Sequence, residues 1–304
     1  MPNKKRKYIF IGDIDSINVE IICNSHNFLK TKLKYIIICN KFELCNYIKK
    51  IKSKVEINEI FDPINFSDHK INSLNIYNID RQHSKKYKNL LNQLDISNGL
   101  SNSTGYDLIT MPIDKSIFKK NIDFIGVTEY LGKINNTKTA MLMHGEKFSV
   151  LPITTHINIK NVHKFLKRNR LRENLEDIMN LVSRTKYGLD FNSINFLCYN
   201  PHCGEMSTLG KEDSLIRVLL KNSFKKISGP IPADSAFNNV KKNTLFISTY
   251  HDQALIPFKI LNKKGVNFTL GLNYRRFSPT HGTAKNIKFK NKADNSSYLQ
   301  CMLN

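Results

Sequence analysis

The sequence has 304 residues, 40% of them hydrophobic, and its 47 lysines and arginines outnumber 25 aspartates and glutamates to give a formal net charge of +22. This length exceeds that of most single domains and favours two. No apolar run approaches the roughly 18 residues that span a bilayer, and the basic residues are spread along the chain without a recognisable nucleic-acid module. We therefore expect a globular protein with no membrane segment and no nucleic-acid partner.

The N-terminus and the cysteines favour the cytoplasm. A short basic stretch, Met1–Lys7, passes directly into the strand-like Tyr8–Ile11, which leaves no room for the apolar core and cleavage site of a signal peptide. The six cysteines form no CxxC pair and lie mainly among apolar neighbours. These features predict a cytoplasmic protein with reduced thiols.

Apolar strands alternate with amphipathic helices in the first part of the chain. Tyr8–Ile11 and Tyr35–Cys39 are predicted strands, and a helix is predicted to begin near Ile17 and another to run through Leu44 to Ile51. Such alternation is typical of a mostly parallel sheet covered on both faces. Residues 62–104 are polar and rich in Asn, Ser and Lys, and no element is predicted there.

The later part continues the alternation. Tyr106–Thr110 reads as a strand that stops at a proline and leaves Lys115 near its carboxyl end. Apolar residues between 162 and 182 recur at helical spacing, and Ile194–Tyr199 and Leu245–Tyr250 are predicted strands that end in polar loops. The carboxyl ends of parallel strands are where α/β proteins gather ligands.

Three histidines stand where predicted strands end. They are His156, His202 and His251. Imidazole is the commonest protein ligand of divalent metals, and a catalytic metal typically takes three protein ligands and keeps one position open. Each histidine alone is more often an ordinary core or surface residue, but their repetition at strand exits predicts a metal site.

The segments around these histidines resemble the 4-hydroxythreonine-4-phosphate dehydrogenase family of vitamin B6 biosynthesis. The similarity is densest from Gly126 to Asp294 and thins before it. The matching stretches, in family order, are Gly126–Leu131, Thr154–His156, Asn200–His202 with Gly204–Glu205, Gly229–Asp234, Tyr250–Gln253, Gly265–Asn267, Thr269–Leu272 and His281–Ala284.

The resemblance implies an α/β fold with two α/β/α domains of the isocitrate/isopropylmalate-dehydrogenase type and an active site in the interdomain cleft. In such folds the two chain ends share one domain. We therefore expect one domain from residues 1–120 with 273–304, and a central domain from residues 121–272 that carries most metal and substrate motifs.

The resemblance also implies the reaction. The family oxidises 4-phosphooxy-L-threonine (4-hydroxythreonine 4-phosphate) with NAD to a β-keto acid, which decarboxylates to 3-amino-2-oxopropyl phosphate. NADP instead of NAD stays open, as does the identity of the divalent metal among Zn, Mg and Co. The partners implied are a phosphorylated small molecule and a second subunit, in a homodimer with a shared active site.

Site residues carry over by position. The resemblance makes His156, His202 and His251 metal ligands, and a loop with the family motif implies cofactor binding by His281, Gly282 and Thr283. Lys115 is a candidate proton-transfer or anion-binding group, and Asp252 could enter the metal's coordination or orient a histidine. The substrate contacts fall on Thr128, Lys259, Asn267 and Arg276. An apolar setting is expected for Lys259, and the adjacent Arg275 is expected to face solvent.

The chain departs from family patterns at three places. Val127 replaces a substrate-contacting histidine, Asp114 stands where an amide or imidazole is usual, and the loop Gly12–Glu20 lacks one proline and two glycines of the family pattern. If those glycines had positive φ, Ser16 and Asn18 would cost roughly 1 kcal/mol or more each. Two alternatives follow: a metal-dependent dehydrogenase of another phosphorylated hydroxy acid, or a non-catalytic basic binding protein. Cys203, beside His202, could bind metal. The resemblance implies a small residue at this position, so a purely structural role is favoured for Cys203.

Overall fold

The computed structural model describes residues 5–119, 121–184, 187–262 and 264–304. The chain divides into two compact units, Met1–Asn135 with Leu272–Asn304, and Asn136–Gly271. The sequence-based domain limits near residues 121 and 273 stay a prediction. The start of the basic N-terminal stretch, residues 1–4, lies outside the described residues.

Strands and helices alternate along most of the chain. The strands are β1 (Arg6–Phe10), β2 (Lys34–Cys39), β3 (Glu56–Glu59), β4 (Ser73–Asn78), β5 (Asp107–Thr110), β6 (Ala140–His144), β7 (Phe148–Thr154), β8 (Ser193–Leu197), β9 (Ile227–Ile231), β10 (Thr244–Tyr250), β11 (Val266–Leu270) and β12 (Arg276–Pro279). The helices are α1 (Asn18–Leu29), α2 (Lys41–Lys50), α3 (Lys86–Thr104), α4 (Val127–Ile134), α5 (Arg168–Val182), α6 (Glu212–Ser223), α7 (His251–Leu261) and α8 (Ser296–Leu303). Short 3-10 turns lie at Lys115–Phe118, Ile159–Phe165, Pro201–Ser207 and Lys285–Ile287.

The first unit contains a fully parallel run of strands in the order β3-β4-β2-β1-β5-β12. Ile36, Ile37 and Ile38 of β2 are completely buried, as expected of a β-branched strand covered on both faces. Because strands β1 and β5 are neighbours, the loops that follow them lie side by side at one edge. The parallel sheet predicted from sequence is confirmed here.

The polar segment for which no element was predicted contains β4 and the long helix α3. Helix α3 buries Gln93, Ser97 and Asn98 beside Leu90 and Leu94, so polar residues interrupt its apolar stripe and the hydrophobic periodicity is weak. The Asn98 side chain accepts a hydrogen bond from the Tyr274 hydroxyl at 2.7 Å, which satisfies it in the core. The helix ends at Gly105, whose φ of +72° is a left-handed C-terminal cap.

The second unit orders its strands β11-β6-β7-β10-β8-β9. Strand β6 runs antiparallel to β7 and β11, whereas β7, β10, β8 and β9 are parallel. Its core includes the rings of Phe148, Phe246 and Phe258, with the Phe148 centroid 5.6 Å from that of Phe246 and 5.9 Å from that of Phe258. The carboxyl ends of β7, β8 and β10 therefore meet at one edge.

Two composition-based expectations can be checked. Within the ranges described, no helix combines the length and apolar character needed to cross a bilayer. All six cysteines are free thiols, as predicted.

Gly12 lies in the loop after β1, in a position that favours glycine. Its φ is +71°, and an added Cβ would lie 2.5 Å from the Pro112 carbonyl oxygen and 2.6 Å from that of Met111. We expect Gly12→Ala to destabilise the protein by about 2–4 kcal/mol, measured by denaturant unfolding. Gly99→Ala is the matched control, since a Cβ there meets nothing within 4 Å inside helix α3, and it should stabilise by about 1 kcal/mol. Equal stability of the two variants would contradict this assignment.

Candidate active site

His156 and His251 lie together at the carboxyl edge of the second unit. His156 follows β7 and His251 begins helix α7 directly after β10, and the parallel pairing of β7 with β10 places the two exits side by side. Their ring centroids are 5.7 Å apart. Two imidazoles bound to one zinc through bonds of about 2 Å would have ring centres about 5 Å apart at the tetrahedral angle. The pair therefore fits two ligands of one metal.

His202 lies in an unusual turn after β8. Residues His202–Ser207 all have positive φ, between 42° and 79°, and such left-handed backbone costs L-residues roughly 1 kcal/mol or more each. The buried carboxylate of Asp213 holds the entry to this turn, accepting hydrogen bonds from the backbone N–H of Tyr199 at 2.7 Å and of Asn200 at 2.9 Å. Asp213 was not singled out from the sequence, because its partners lie on the preceding strand exit.

The three histidines do not converge within one chain. Among the residues that the structure covers, no group of three His, Cys, Asp or Glu side chains is arranged to hold a metal ion. His202 instead lies with its Nδ1 3.9 Å from the Asp234 carboxylate. Burial raises the pKa of the neighbouring Cys203 thiol to about 12, which favours the protonated thiol.

Residues beside His251 fix its loop. Asp252 Oδ1 lies 2.6 Å from His251 Nδ1, a geometry suited to orienting the imidazole. Gln253 accepts a hydrogen bond from the Thr249 N–H at 2.9 Å and donates to the Cys198 carbonyl at 2.6 Å, which ties β10 to the end of β8. Spacing along the sequence could not tell that Asp252 orients the imidazole whereas Gln253 links two strand ends, because both residues follow the candidate ligand His251.

A cavity of about 660 Å³ opens beside these loops in the second unit. His202 and Asp252 contribute polar groups to its lining, and Phe237, Ile256 and Pro257 contribute apolar surface. A concave site with few polar groups on an apolar wall is typical of small-molecule binding.

Lys259 and Asn267 belong to this same unit but differ in setting. Lys259 is exposed on helix α7, so the expectation that its apolar sequence neighbours shield it is wrong within the chain. Helical geometry explains the error, because Ile256 and Ile260 on the same helix are themselves exposed. Asn267, half-buried on β11, has a side-chain oxygen with no hydrogen-bond partner among the described residues.

Arg276 and Thr128 meet in the first unit. Arg276 is only 3% exposed, and its guanidinium donates to the Thr110 hydroxyl at 2.8 Å and to the Thr128 hydroxyl at 3.2 Å. Burial lowers the pKa of Arg276 to about 10, which leaves it charged at neutral pH. Lys115 is exposed at the start of the 3-10 turn after β5.

The expectation that Arg275 faces solvent is wrong. Its guanidinium makes a two-point ion pair with Asp107, at 2.8 Å through Nε and 2.7 Å through Nη2. The same carboxylate accepts from the buried Lys7 ammonium at 2.8 Å. Arg275 immediately precedes β12 and is half-buried, whereas Arg276 begins the strand and is buried.

The loop with the cofactor-like motif lies beside β1 and β5. His281 Nδ1 is 2.9 Å from the Gly282 carbonyl, whereas its buried Nε2 has no hydrogen-bond partner in the part of the chain that is described. A Cβ at Gly282 would meet nothing within 4 Å, so space is open there. An unsatisfied imidazole nitrogen, with open space at the following glycine, fits a polar ligand such as a dinucleotide. Burial lowers the pKa of His281, which favours the neutral ring.

Charged residues form ion pairs beside that loop. Asp114 pairs with Lys285 at 2.5 Å, and this ion pair holds the pKa of the Asp114 carboxyl well below its usual range. Lys285 also lies 3.8 Å from Asp13 and 3.9 Å from Asp15. The unusual aspartate at position 114 thus has a partner that the sequence alone did not indicate.

The altered loop Gly12–Glu20 does not place Ser16 or Asn18 in the strained left-handed backbone conformation. Ser16 and Asn18 are absent from the positive-φ residues of the described chain, so the expected cost of replacing glycine does not arise. The buried Asn18 amide instead donates to the carbonyls of Ile11 and Pro112, both at 2.9 Å. The loop is held by a side chain at a position where the family pattern implies glycine.

Two α/β units with polar loops gathered at the carboxyl edges of parallel strands define a class, the α/β enzymes that bind small ligands at those edges. Comparisons place the chain within it. A model of the family described as pyridoxal phosphate biosynthetic protein PdxA matches residues 19–303. The chain belongs to this family, and its relatives are named as dehydrogenases, that is, oxidoreductases.

Two relatives show the extent of the similarity. The 4-hydroxythreonine-4-phosphate dehydrogenase of Sulfurihydrogenibium sp. is 31% identical over 97% of this chain and 95% of that protein. The enzyme of that name from Aquifex aeolicus is 40% identical over 65% of this chain, and the matched region spans 63% of the Aquifex protein. Among solved structures, the 4-hydroxythreonine-4-phosphate dehydrogenase of Klebsiella pneumoniae matches with a TM-score of 0.80 and 24% identity over 98% of each chain. The predicted α/β fold class is confirmed.

Proposed function

We propose that the chain catalyses NAD-dependent, metal-assisted oxidation of 4-phosphooxy-L-threonine, giving a β-keto acid that decarboxylates to 3-amino-2-oxopropyl phosphate. The observation that carries this proposal is the His156–His251 pair at the carboxyl edge of the second unit. Relatives that match the chain are named 4-hydroxythreonine-4-phosphate dehydrogenase, which supports the substrate and the oxidation. We further propose a cytoplasmic homodimer.

The metal would be Zn, Mg or Co, held by His156 and His251 of one chain. Because His202 is separate from that pair, we assign the third ligand to His202 of a second copy. When bound, such a metal supplies Lewis acidity that stabilises negative charge developing on an oxygen. The Asp252 carboxylate holds the His251 ring at Nδ1, so the Nε2 of His251 would be the nitrogen that coordinates the metal.

The remaining site residues would bind the anionic groups of the substrate or transfer a proton. Arg276 offers a charged fork beside the Thr128 hydroxyl, and Lys259 and Asn267 offer a cation and an amide for the phosphate and carboxylate of the substrate. Lys115, exposed after β5, would move a proton at the reacting alcohol or bind an anionic group.

The dinucleotide would lie against His281, Gly282 and Thr283. When bound, NAD or NADP supplies the hydride acceptor. The buried His281 Nε2 is available to a donor from the dinucleotide, and the absent Cβ of Gly282 allows close approach.

One observation favours a second candidate, a dehydrogenase of another phosphorylated hydroxy acid. Val127 packs against the apolar core cluster of the first unit, where the family pattern has a substrate-contacting histidine. Valine cannot replace hydrogen bonds to a polar substrate.

A substrate panel separates the two candidates. We expect the wild type to reduce NAD with 4-hydroxythreonine 4-phosphate, and Val127→His to raise kcat/KM by restoring a polar contact. The measurement is kcat/KM of both proteins across a small set of phosphorylated hydroxy acids. A preference for another acid that histidine does not improve would support the second candidate instead.

A further inference from the structure

A buried carboxylate holds the segment that follows the proposed cofactor motif. Glu20, fully buried in the first turn of α1, accepts hydrogen bonds from the backbone N–H of Phe289 at 2.5 Å and of Asn291 at 2.9 Å. Each of its two oxygens takes one of these bonds, and such charge-assisted bonds are roughly twice as strong as neutral ones. The segment Lys285–Asn291 is thereby fixed to helix α1.

The backbone of this segment would not hold its shape by itself. Phe289 and Asn291 have φ of 64° and 54°, and Ala284 at the start has φ of 44°. Left-handed backbone is unfavourable for residues other than glycine and persists where surrounding contacts impose it. The two N–H groups that Glu20 binds are those of left-handed residues, so the carboxylate is placed where the conformation needs support.

A tyrosine of α2 contacts the Glu20 carboxylate and the segment that it binds. The Tyr47 hydroxyl lies 3.0 Å from Glu20 Oε1 and 2.5 Å from the Ser16 carbonyl oxygen. Its ring packs on Phe289 with centroids 4.7 Å apart. The Glu20 carboxylate is therefore itself held in place.

The start of α1 also touches the motif directly. The Ile17 backbone N–H donates to the Thr283 carbonyl at 3.2 Å, and Lys288 forms an ion pair with Asp15. Contacts from α1 and its preceding loop thus reach both the motif and the segment after it.

We propose that Glu20 is a positioning residue for the cofactor: it holds Lys285–Asn291 so that His281, Gly282 and Thr283 are preformed to receive the dinucleotide. The inference rests on the proposed function. A preformed loop binds more tightly because the cofactor does not have to order it, and affinity falls in proportion to the population of the competent conformer.

The test measures NAD binding by calorimetry and backbone amide exchange of the unliganded protein by mass spectrometry. In Glu20→Ala we expect faster exchange in peptides covering 285–291 and an NAD Kd raised by about tenfold or more. Glu20→Gln keeps a single carboxamide oxygen for two N–H groups and should give a smaller change in both. If Glu20→Ala does not fold, Glu20→Gln and Tyr47→Phe decide the matter by the same two measurements.

Asp213→Asn is the matched control, because Asp213 holds the His202 turn as Glu20 holds this segment. It should lower metal affinity and leave NAD affinity unchanged, whereas the Glu20 variants should leave metal content unchanged. If a folded Glu20 variant shows the same amide exchange and the same NAD affinity as the wild type, this inference is overturned and the proposed function is not. A wild-type protein that binds neither NAD nor NADP would overturn the proposed function and this inference together. A lowered melting temperature with unaltered NAD affinity would show a merely structural role.

Discussion

His251→Ala is expected to remove metal from the purified protein and to lower kcat/KM by more than about a thousandfold, since a bound metal supplies several kcal/mol of charge stabilisation. His251 starts helix α7, faces His156 at 5.7 Å between ring centroids, and is oriented by Asp252. Metal content by elemental mass spectrometry and steady-state kinetics measure the two effects. Asp252→Asn should cause a smaller loss, about 10- to 100-fold, because it changes only the orientation of the ligand.

His163→Ala provides the control for this prediction. His163 is exposed, and its ring Nδ1 lies 2.9 Å from the Lys160 carbonyl oxygen, so its removal should change neither metal content nor turnover. Unchanged metal content in His251→Ala, with His156→Ala and His202→Ala equally unaffected, would refute the metal site.

Arg276→Ala is expected to weaken binding of the phosphorylated substrate by about 1.5–3 kcal/mol, the usual contribution of a charge-assisted hydrogen bond. The guanidinium is buried with the Thr110 and Thr128 hydroxyls, so the variant should also be less stable. Substrate Kd and NAD Kd, measured separately by calorimetry, decide the role, and NAD affinity should change little.

Arg275→Ala is the matched control because it removes the adjacent arginine, which immediately precedes β12. Its loss breaks the Asp107 ion pair and should lower stability without altering substrate affinity. Reduced NAD affinity with normal substrate affinity in Arg276→Ala would instead assign Arg276 to the cofactor.

Local patterns predicted the strands and the polar loops that follow them. Runs such as Tyr35–Cys39 are buried on both sides of a parallel sheet, and that environment selects β-branched residues that are visible in sequence. Helix α3 was missed because amides and hydroxyls share its buried face with Leu90 and Leu94, and the partner of Asn98, Tyr274, lies 176 positions away. The periodicity of apolar residues is weak on a face that polar residues share.

The candidate site was predicted as residue types and positions, but its contacts were not. Asn18, which replaces a glycine of the family pattern, donates hydrogen bonds to carbonyls of two loops. Asp114 forms an ion pair with Lys285. Such pairs are set by tertiary proximity, which spacing along one chain does not encode. The same reason explains why Arg275 was expected in solvent and why Glu20 and Asp213 were overlooked.

The most direct measurement of the central claim follows NADH and carbon dioxide together. Metal-loaded protein given 4-hydroxythreonine 4-phosphate and NAD should form both products in equal amounts, and a chelator should stop both, with activity restored by added divalent metal. Failure to form NADH with any phosphorylated hydroxy acid, in protein shown to bind metal and NAD, would contradict the account.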